Sequence, residues 1–196
     1  KYYTQHTQAI FSIGYNALKS QLYVADADGN LSIWAADGSK LLIYLPLDCG
    51  KVRSIDVSDD GKQFVLACQD GTLRVFESEY FNEINTIDAH KGGATSVLFH
   101  PLNSNQLISG GKDALLKLWD WNSEKELKSI VAHTFAIYAL VSIHNGETIV
   151  TASRDKHVKE WNSSLDIVKR LDRKMGGHQH SVNDLCVIND NTITCC

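Results

Sequence analysis

The sequence predicts an all-β protein that repeats one unit of four short strands along the chain. The first observation is a segment with an aspartate six positions before an aromatic residue, which occurs as DGNLSIW (28–34), DGTLRVF (70–76), DALLKLW (113–119) and DKHVKEW (155–161). The successive aspartates are 42, 43 and 42 residues apart. A fixed period of this length indicates a protein that is assembled from structural repeats.

A second series of apolar segments follows the same period and predicts the first strand of each unit. It reads AIFSIGY (9–15), KVRSIDV (51–57), GATSVLF (93–99), AIYALVS (136–142) and SVNDLCV (181–187). Four residues before the second position of these segments stand His6, Asp48, His90, His133 and His178. Because two independent series share one period, a chance repeat is implausible.

The remaining strands are predicted from short apolar runs, rich in β-branched and aromatic residues, that alternate with turn segments. The turn segments include NALKSQ, SDDGKQ, HPLNSNQ and IHNGET. This pattern predicts about four strands in each unit and no helix. The two prolines, Pro46 and Pro101, both fit strand-edge or turn positions.

With a histidine before the first strand and an Asp-x5-Trp pattern at the third, the repeat resembles the WD40 family. The agreement is not complete, because only Trp119-Asp120 has the signature dipeptide and Glu160 stands where the other units have an apolar residue. The resemblance implies a WD40-type β-propeller with four-stranded antiparallel blades. We expect the chain to be a fragment of a seven-bladed ring.

The resemblance divides residues 1–196 into consecutive blades of a single propeller region. Four whole blades are expected at 6–45, 48–88, 90–131 and 133–172. The last strand of an upstream blade is expected at 1–5, and the first two strands of a further blade at 178–196. Since open repeat arrays expose unpaired strand edges, we expect missing blades or another chain to complete the ring.

Composition argues against several classes of function. The net charge of −4, from 19 basic and 23 acidic residues, predicts no direct nucleic-acid binding. The longest apolar run, LLIYLPL (41–47), is far shorter than the roughly 20 residues of a membrane helix, so no membrane insertion is expected. Five cysteines without a CxxC pair argue against a zinc site and a disulfide framework. We expect no metal, no cofactor and a reducing, cytoplasmic location.

A hydroxyl residue, a histidine and an aspartate recur together and could suggest a hydrolase triad. A catalytic set is expected once, beside an oxyanion site, and not in every repeat. In the second unit the corresponding residues are Asp48, Leu66, Asp70 and Phe76, so the hydroxyl and the indole are both absent. We therefore predict a structural hydrogen-bond network and no enzyme. Its predicted members are His6, Asp28, Trp34, Asp70, His90, Ser109, Asp113, Trp119, His133, Thr151, Asp155, Trp161 and His178.

Binding is expected on the loops that the rigid sheets hold in place. In each blade, the connection between the second and third strands lies at the same end as the connection between blades. The resemblance implies that this end docks protein or peptide partners, so we predict a non-catalytic interaction scaffold. The alternative is a propeller that recognises a modified peptide or glycan in its central channel. The candidate binding residues are Lys112, Arg154, Phe135, Gln69, Lys91 and His180.

Overall fold

A computed structural model describes residues 5–171, 177–189 and 192–195, and all of its strands are antiparallel. The first blade contains β1 (Ile10–Asn16), β2 (Gln21–Asp26), β3 (Asn30–Ala35) and β4 (Leu41–Pro46). The second contains β5 (Val52–Val57), β6 (Gln63–Cys68), β7 (Thr72–Glu77) and β8 (Glu83–Asp88). The third contains β9 (Ala94–Phe99), β10 (Gln106–Gly111), β11 (Leu115–Asp120) and β12 (Lys125–Val131).

The fourth blade contains β13 (Ile137–Ile143), β14 (Thr148–Ser153), β15 (Val158–Asn162) and β16 (Ile167–Leu171). A fifth sheet has two strands, β17 (Leu185–Asn189) and β18 (Thr192–Cys195). Of the strand predicted at 1–5, only residue 5 is among the described residues. Residue 172 of the fourth predicted blade and residues 190, 191 and 196 of the last one also lie outside the described residues. Within the described ranges there is no helix, and hence none that could cross a membrane.

The strands differ in burial according to their position in the blade. The second strands are almost wholly buried, as in QFVLAC of β6 and TIVTAS of β14. Such strands have neighbours on both faces, so both sets of alternating side chains are removed from water. The fourth strands are largely exposed, as in KELKSIV of β12. Continuous apolar runs therefore occupy the middle of each sheet, and alternating or polar sequences occupy its outer edge.

Four apolar clusters join the sheets face to face. In the cluster between the first and second blades, Tyr23 and Ile33 pack with Phe64 and Phe76. Equivalent clusters lie between the second and third, the third and fourth, and the fourth blade and the fifth sheet. The first strands of neighbouring sheets also pack side by side, in the order β1, β5, β9, β13 and β17. This arrangement is that of a β-propeller, whose first strands surround a central channel.

The first strand of each of the four blades contains a β-bulge near its start. Ile10 and Ser12 oppose consecutive residues of β2, so Phe11 has no partner in the ladder. The same register shift leaves Arg53, Thr95 and Tyr138 as the extra residues in the other three blades. A bulge re-aims the side chain of the extra residue, and here it does so at the loop end of the channel.

Candidate docking surface

The third blade contains a continuous chain of side-chain hydrogen bonds beneath its loops. The Trp119 Nε1–H donates to Ser109 Oγ at 2.9 Å, and Ser109 Oγ lies 2.8 Å from His90 Nε2. The Nδ1 of the same imidazole lies 2.9 Å from Asp113 Oδ1. Asp113 also accepts the backbone N–H of Lys91 at 3.1 Å. The carboxylate therefore joins the loop before β9 to the turn between β10 and β11.

The fourth blade repeats this geometry with threonine in place of serine. Trp161 Nε1–H donates to Thr151 Oγ1 at 3.0 Å, and that hydroxyl lies 2.8 Å from His133 Nε2. The imidazole Nδ1 lies 2.9 Å from Asp155 Oδ2. The carboxylate accepts backbone N–H groups from the residues at 134 and 157, at 3.1 and 3.0 Å. Both loops are again tied to one aspartate.

The protonation states make each chain of hydrogen bonds complete. Loss of hydration on burial lowers the pKa of His90 and His133 below the usual histidine value, although the neighbouring aspartates act in the opposite direction. Burial raises the pKa of Asp155, but hydrogen bonds from His133 and two backbone N–H groups outweigh it, so this pKa lies below its usual value. A neutral imidazole can donate from Nδ1 to the carboxylate and accept at Nε2 from the hydroxyl.

The hydroxyls of these sets are not placed for nucleophilic attack on a bound substrate. Ser109 and Thr151 are both 0% exposed, and each accepts an indole N–H as well as contacting a histidine. A nucleophile must reach the substrate carbonyl, and these oxygens are enclosed between strands. The geometry of both sets is that of a satisfied, buried polar network.

In the first blade the structure corrects the assignment of the carboxylate and reveals a hydroxyl that the repeat spacing did not predict. The carboxylate next to His6 Nδ1 belongs to Asp26, at 2.8 Å, and not to Asp28, which is exposed. The hydroxyl comes from Ser32 of β3, which lies 2.6 Å from His6 Nε2 and accepts the Trp34 N–H at 2.8 Å. Since Ser32 is paired with strand position 24, directly across the sheet, its Oγ takes the place of a second-strand hydroxyl.

Asp26 is held ionised by its surroundings. Burial raises the pKa of this carboxyl. Hydrogen bonds from His6, from the Asn30 side chain and from the backbone N–H groups of Asn30 and Asp28 lower it by more than burial raises it, so the pKa lies below its usual value. Asp28 contributes a backbone N–H to this group at 3.0 Å. The first blade thus reaches the same network through a different carboxylate and a different strand.

In the second blade Asp70 does not contact a histidine. Its carboxylate accepts the Thr72 backbone N–H at 2.9 Å and the Arg74 Nη2–H at 3.2 Å. Arg74 also donates from Nη1 to the carbonyl oxygen of Leu47 at 2.9 Å, so the arginine joins the two loops. At the hydroxyl position stands Leu66, which is 0% exposed. Asp70, predicted as a network member, therefore belongs to a separate surface arrangement.

In the fifth sheet His178 contacts a thiol. Its Nε2 lies 2.8 Å from Cys195 Sγ on β18, the second strand of this sheet. In the third and fourth blades the second strand supplies the hydroxyl of the network. His180, the other histidine of this segment, is exposed. The four cysteines of the described residues, Cys49, Cys68, Cys186 and Cys195, are not in disulfides. In the described ranges no group of three or more metal-ligating side chains is close enough to hold an ion.

One backbone hydrogen bond per blade fixes the residues just before the turn aspartates. The N–H of each donates to the carbonyl oxygen of the residue just before the first strand of its blade. The pairs are Ala27 to Ala9 at 3.0 Å, Gln69 to Lys51 at 2.9 Å, Lys112 to Gly93 at 3.0 Å and Arg154 to Ala136 at 3.0 Å. Each donor lies second in a tight turn whose fourth residue has positive φ: Gly29, Gly71, Ala114 and Lys156. We call Ala27, Gln69, Lys112 and Arg154 the outer ring.

The outer ring contains three of the predicted binding residues. Gln69, Lys112 and Arg154 are exposed, and the Arg154 guanidinium lies 5.8 Å from the centroid of the Phe135 ring. Phe135 is 55% exposed, so its ring is available for contact with a partner. Lys91 is also exposed, but its backbone serves the Asp113 network. These residues all lie at the loop end of the propeller.

Sequence reasoning missed a second set of residues at the same end. The bulge residues Phe11, Arg53, Thr95 and Tyr138, together with Asn183, line a cavity of about 300 Å³ at the mouth of the channel. We call these five residues the inner ring. They share the third position of the apolar segments, where the letters are F, R, T, Y and N. A large or polar residue at the same position of each apolar segment was the feature of the sequence that could have indicated this set.

The sheets, the bulges and the loop-tying networks define a repeat protein of the β-propeller class. The family profile described as "WD domain, G-beta repeat" matches residues 42–77, 81–120 and 124–162. Each match runs from the fourth strand of one blade to the third strand of the next. The chain therefore belongs to the WD40 repeat family.

Several curated proteins are similar to this chain. Striatin from Rattus norvegicus is 27% identical over 192 residues, which cover 92% of this chain and 24% of striatin. Nuclear distribution protein PAC1-1 from Uncinocarpus reesii is 33% identical over 103 residues, or 52% of this chain and 22% of that protein. Autophagy-related protein 16 from Arabidopsis thaliana is 30% identical over 115 residues, covering 58% and 22% respectively. The chain thus spans about a quarter of the length of these relatives.

Proposed function

We propose that this chain is a non-catalytic docking module that binds a protein or peptide partner at the loop end of the propeller. The observation that carries the proposal is the repeated backbone hydrogen bond that fixes the outer ring next to the inner ring in all four blades. Side chains that differ from blade to blade, including Lys112, Arg154 and Phe135, are thereby displayed on one rigid surface. A preorganised surface loses little conformational entropy on binding.

The recurrent His–Asp–hydroxyl sets support a docking role and not a catalytic one. In the third and fourth blades they lie beneath the surface, with their polar atoms satisfied, and they hold the loops in place. Membership in the WD40 family and the match to striatin over most of the chain agree with a role in protein complexes. The interaction is therefore assigned to the exposed loop residues.

The test is a double charge reversal in the outer ring. Lys112→Glu with Arg154→Glu should reduce the recovery of specific partners in quantitative affinity purification by about tenfold or more, because repulsive charges replace attractive ones. The matched control is Lys125→Glu, an exposed lysine that opens β12 at the opposite end of the blade. Thermal melts should be similar for all variants. Unchanged recovery for the double variant would contradict the proposal.

The second candidate function is recognition of a modified peptide or glycan in the channel, which the cavity of about 300 Å³ at the inner ring favours. In that case the double charge reversal should leave the recovery of whole complexes unchanged. Binding to an array of modified peptides and glycans should instead be lost on changes in the inner ring. The two outcomes separate a docking face from a ligand pocket.

A further inference from the structure

The mouth of the central channel combines two cations, two aromatic rings and a buried donor. We propose that it binds a carboxylate side chain, an aspartate or glutamate within an acidic segment of the docked partner, through the Arg53 guanidinium. This inference rests on the proposed docking function and names the chemistry of the partner at the inner ring. It concerns residues that are separate from the outer-ring lysine and arginine.

Arg53 is the central residue of the proposed site. As the extra residue of the β5 bulge, its side chain leaves the ladder and lines the cavity at the channel mouth. Its Nε atom is buried and has no hydrogen-bond partner among the described residues. A buried donor without an acceptor destabilises the folded state. A carboxylate in the cavity can accept from the two terminal nitrogens of Arg53 together, in the bidentate geometry that a guanidinium favours.

Positive charge is concentrated around one aromatic ring at this mouth. Lys51 Nζ lies 4.4 Å from the centroid of Phe11, and Arg53 Cζ lies 5.8 Å from the same centroid. No ion pair within 4.0 Å is found for either cation in the described part of the chain. Two cations at the rim of a concave site attract an anionic group and raise its local concentration.

The other members of the inner ring favour an acidic side chain with an apolar stem. Phe11 is 41% exposed and Tyr138 is half-buried, so both rings can pack against methylene groups. Thr95 is already committed, because its hydroxyl lies between the carbonyl oxygens of Gly110, at 2.9 Å, and Ile137, and its single proton is donated to one of them. Asn183 is exposed and provides a further donor. A volume of about 300 Å³ matches a small group and not a folded domain.

The charges deeper in the channel favour a carboxylate over a phosphate. A second cavity of about 250 Å³ continues inward from Phe11, Arg53 and Tyr138, and Asp184 lines it. A phosphate monoester carries about −1.5 to −2 charges at neutral pH and is repelled more strongly by this aspartate. Lys51 and Arg53 together with Asp184 sum to a net charge of +1, from two positive charges and one negative, which matches the single charge of one carboxylate.

The test measures binding of fluorescein-labelled hexaglutamate to the full chain by fluorescence anisotropy, with hexaglutamine and a phosphoserine peptide of equal length as comparisons. Arg53→Gln should raise the Kd for hexaglutamate by about tenfold or more, since the charge and the fork of donors are both lost. Arg53→Lys keeps the charge without the planar fork, so it should raise the Kd by about threefold. Lys125→Gln removes one charge from the opposite end and should leave the Kd unchanged.

The outcomes decide the assignment. It is overturned if hexaglutamate does not bind, if Lys125→Gln weakens binding as much as Arg53→Gln, or if the phosphoserine peptide binds about tenfold more tightly than hexaglutamate. If Arg53→Gln melts earlier than wild type, the Arg53→Lys variant decides the question, and an unchanged Kd there counts against the site. Equal Kd values for Arg53→Gln and wild type, with partner recovery lost in the outer-ring variant, would sink this inference and leave the docking function intact.

Discussion

The third and second blades solve the same structural problem with different chemistry. In the third blade, a buried chain from Trp119 through Ser109 and His90 to Asp113 ties the loops together. In the second blade, Arg74 joins the loops from the surface by contacting the carbonyl at 47 and Asp70. The two blades nonetheless have the same strand order and register. The loop connection is therefore required, while the residues that make it can vary.

The difference extends into the core. Where the third blade has a buried hydroxyl and an indole, the second has Leu66 and Phe76, and Phe76 stacks on Phe64 with centroids 5.0 Å apart and planes 6° apart. Tyr23 of the first blade packs against the same Phe64 at 4.7 Å. Apolar contact thus replaces the polar network. An apolar replacement avoids the desolvation of buried polar groups, whereas a network must be complete to be stabilising.

The largest expected effect comes from removing the carboxylate of a complete network. Asp155→Ala leaves the His133 Nδ1–H and the backbone N–H groups at 134 and 157 without their acceptor. We expect the free energy of unfolding, measured by urea denaturation, to fall by about 3 kcal/mol. The matched change in the second blade, Asp70→Ala, removes a partly exposed carboxylate and should cost under about 1 kcal/mol. Equal losses in the two blades would contradict the distinction between a buried network and a surface tie.

Much of the fold could be predicted from the sequence, because the information is repeated. The period, the segments that open each blade and the turn aspartates occur in four copies, so an error in one copy does not change the assignment. The networks of the third and fourth blades followed from the same spacing. In the first blade, spacing alone was misleading. It pointed to Asp28 and to no hydroxyl in this blade, whereas Asp26 is the carboxylate and Ser32 provides the hydroxyl.

The missed residues have a common physical cause. Ser32 acts across the sheet, so its role depends on strand register, which the repeat spacing does not report. The inner ring depends on the bulges at Phe11, Arg53 and Tyr138. Each bulge turns toward the mouth of the channel a side chain that simple alternation would place between the sheets. A bulge is a local departure from period two. Its trace in sequence is a large or polar residue inside an apolar strand.

The boundary between the two blades contains a carboxyl whose ionisation should oppose stability. Asp56 of the second blade accepts the Phe99 backbone N–H of the third at 2.6 Å. The residue retains some solvent contact, but the loss of hydration at its carboxyl raises the pKa to about 6, against the effect of the hydrogen bonds from Phe99 and Val57. The usual value is 3.8, so the folded chain binds more protons between these pH values. The contribution to stability is present below pH 3.8 and is lost as the pH rises through 6.

Asp56→Asn tests this assignment, because asparagine keeps the acceptor for Phe99 and cannot ionise. Between pH 4 and pH 7, the unfolding free energy of the variant relative to wild type should rise by about 2 kcal/mol. Urea denaturation at several pH values measures the difference. Asp88→Asn, at an exposed residue that ends β8, is the control and should show a much smaller change. A difference that does not vary with pH would show that the Asp56 carboxyl does not titrate in this range.

The smallest expected effect tests whether the indole of the third blade acts through its hydrogen bond. Trp119→Phe introduces the residue type of the second blade and removes the donor to Ser109 Oγ, while Ser109 can still donate to His90. We expect a loss of about 1 kcal/mol beyond the change in packing. A double-mutant cycle with Ser109→Ala separates these contributions, because the donor is of no benefit once the hydroxyl is gone.

The reverse change, Phe76→Trp, should destabilise the second blade, since Leu66 offers its indole no acceptor and Phe76 is already closely stacked. Additive losses in the cycle, or a stabilised Phe76→Trp variant, would mean that ring packing and not the hydrogen bond distinguishes the two blades.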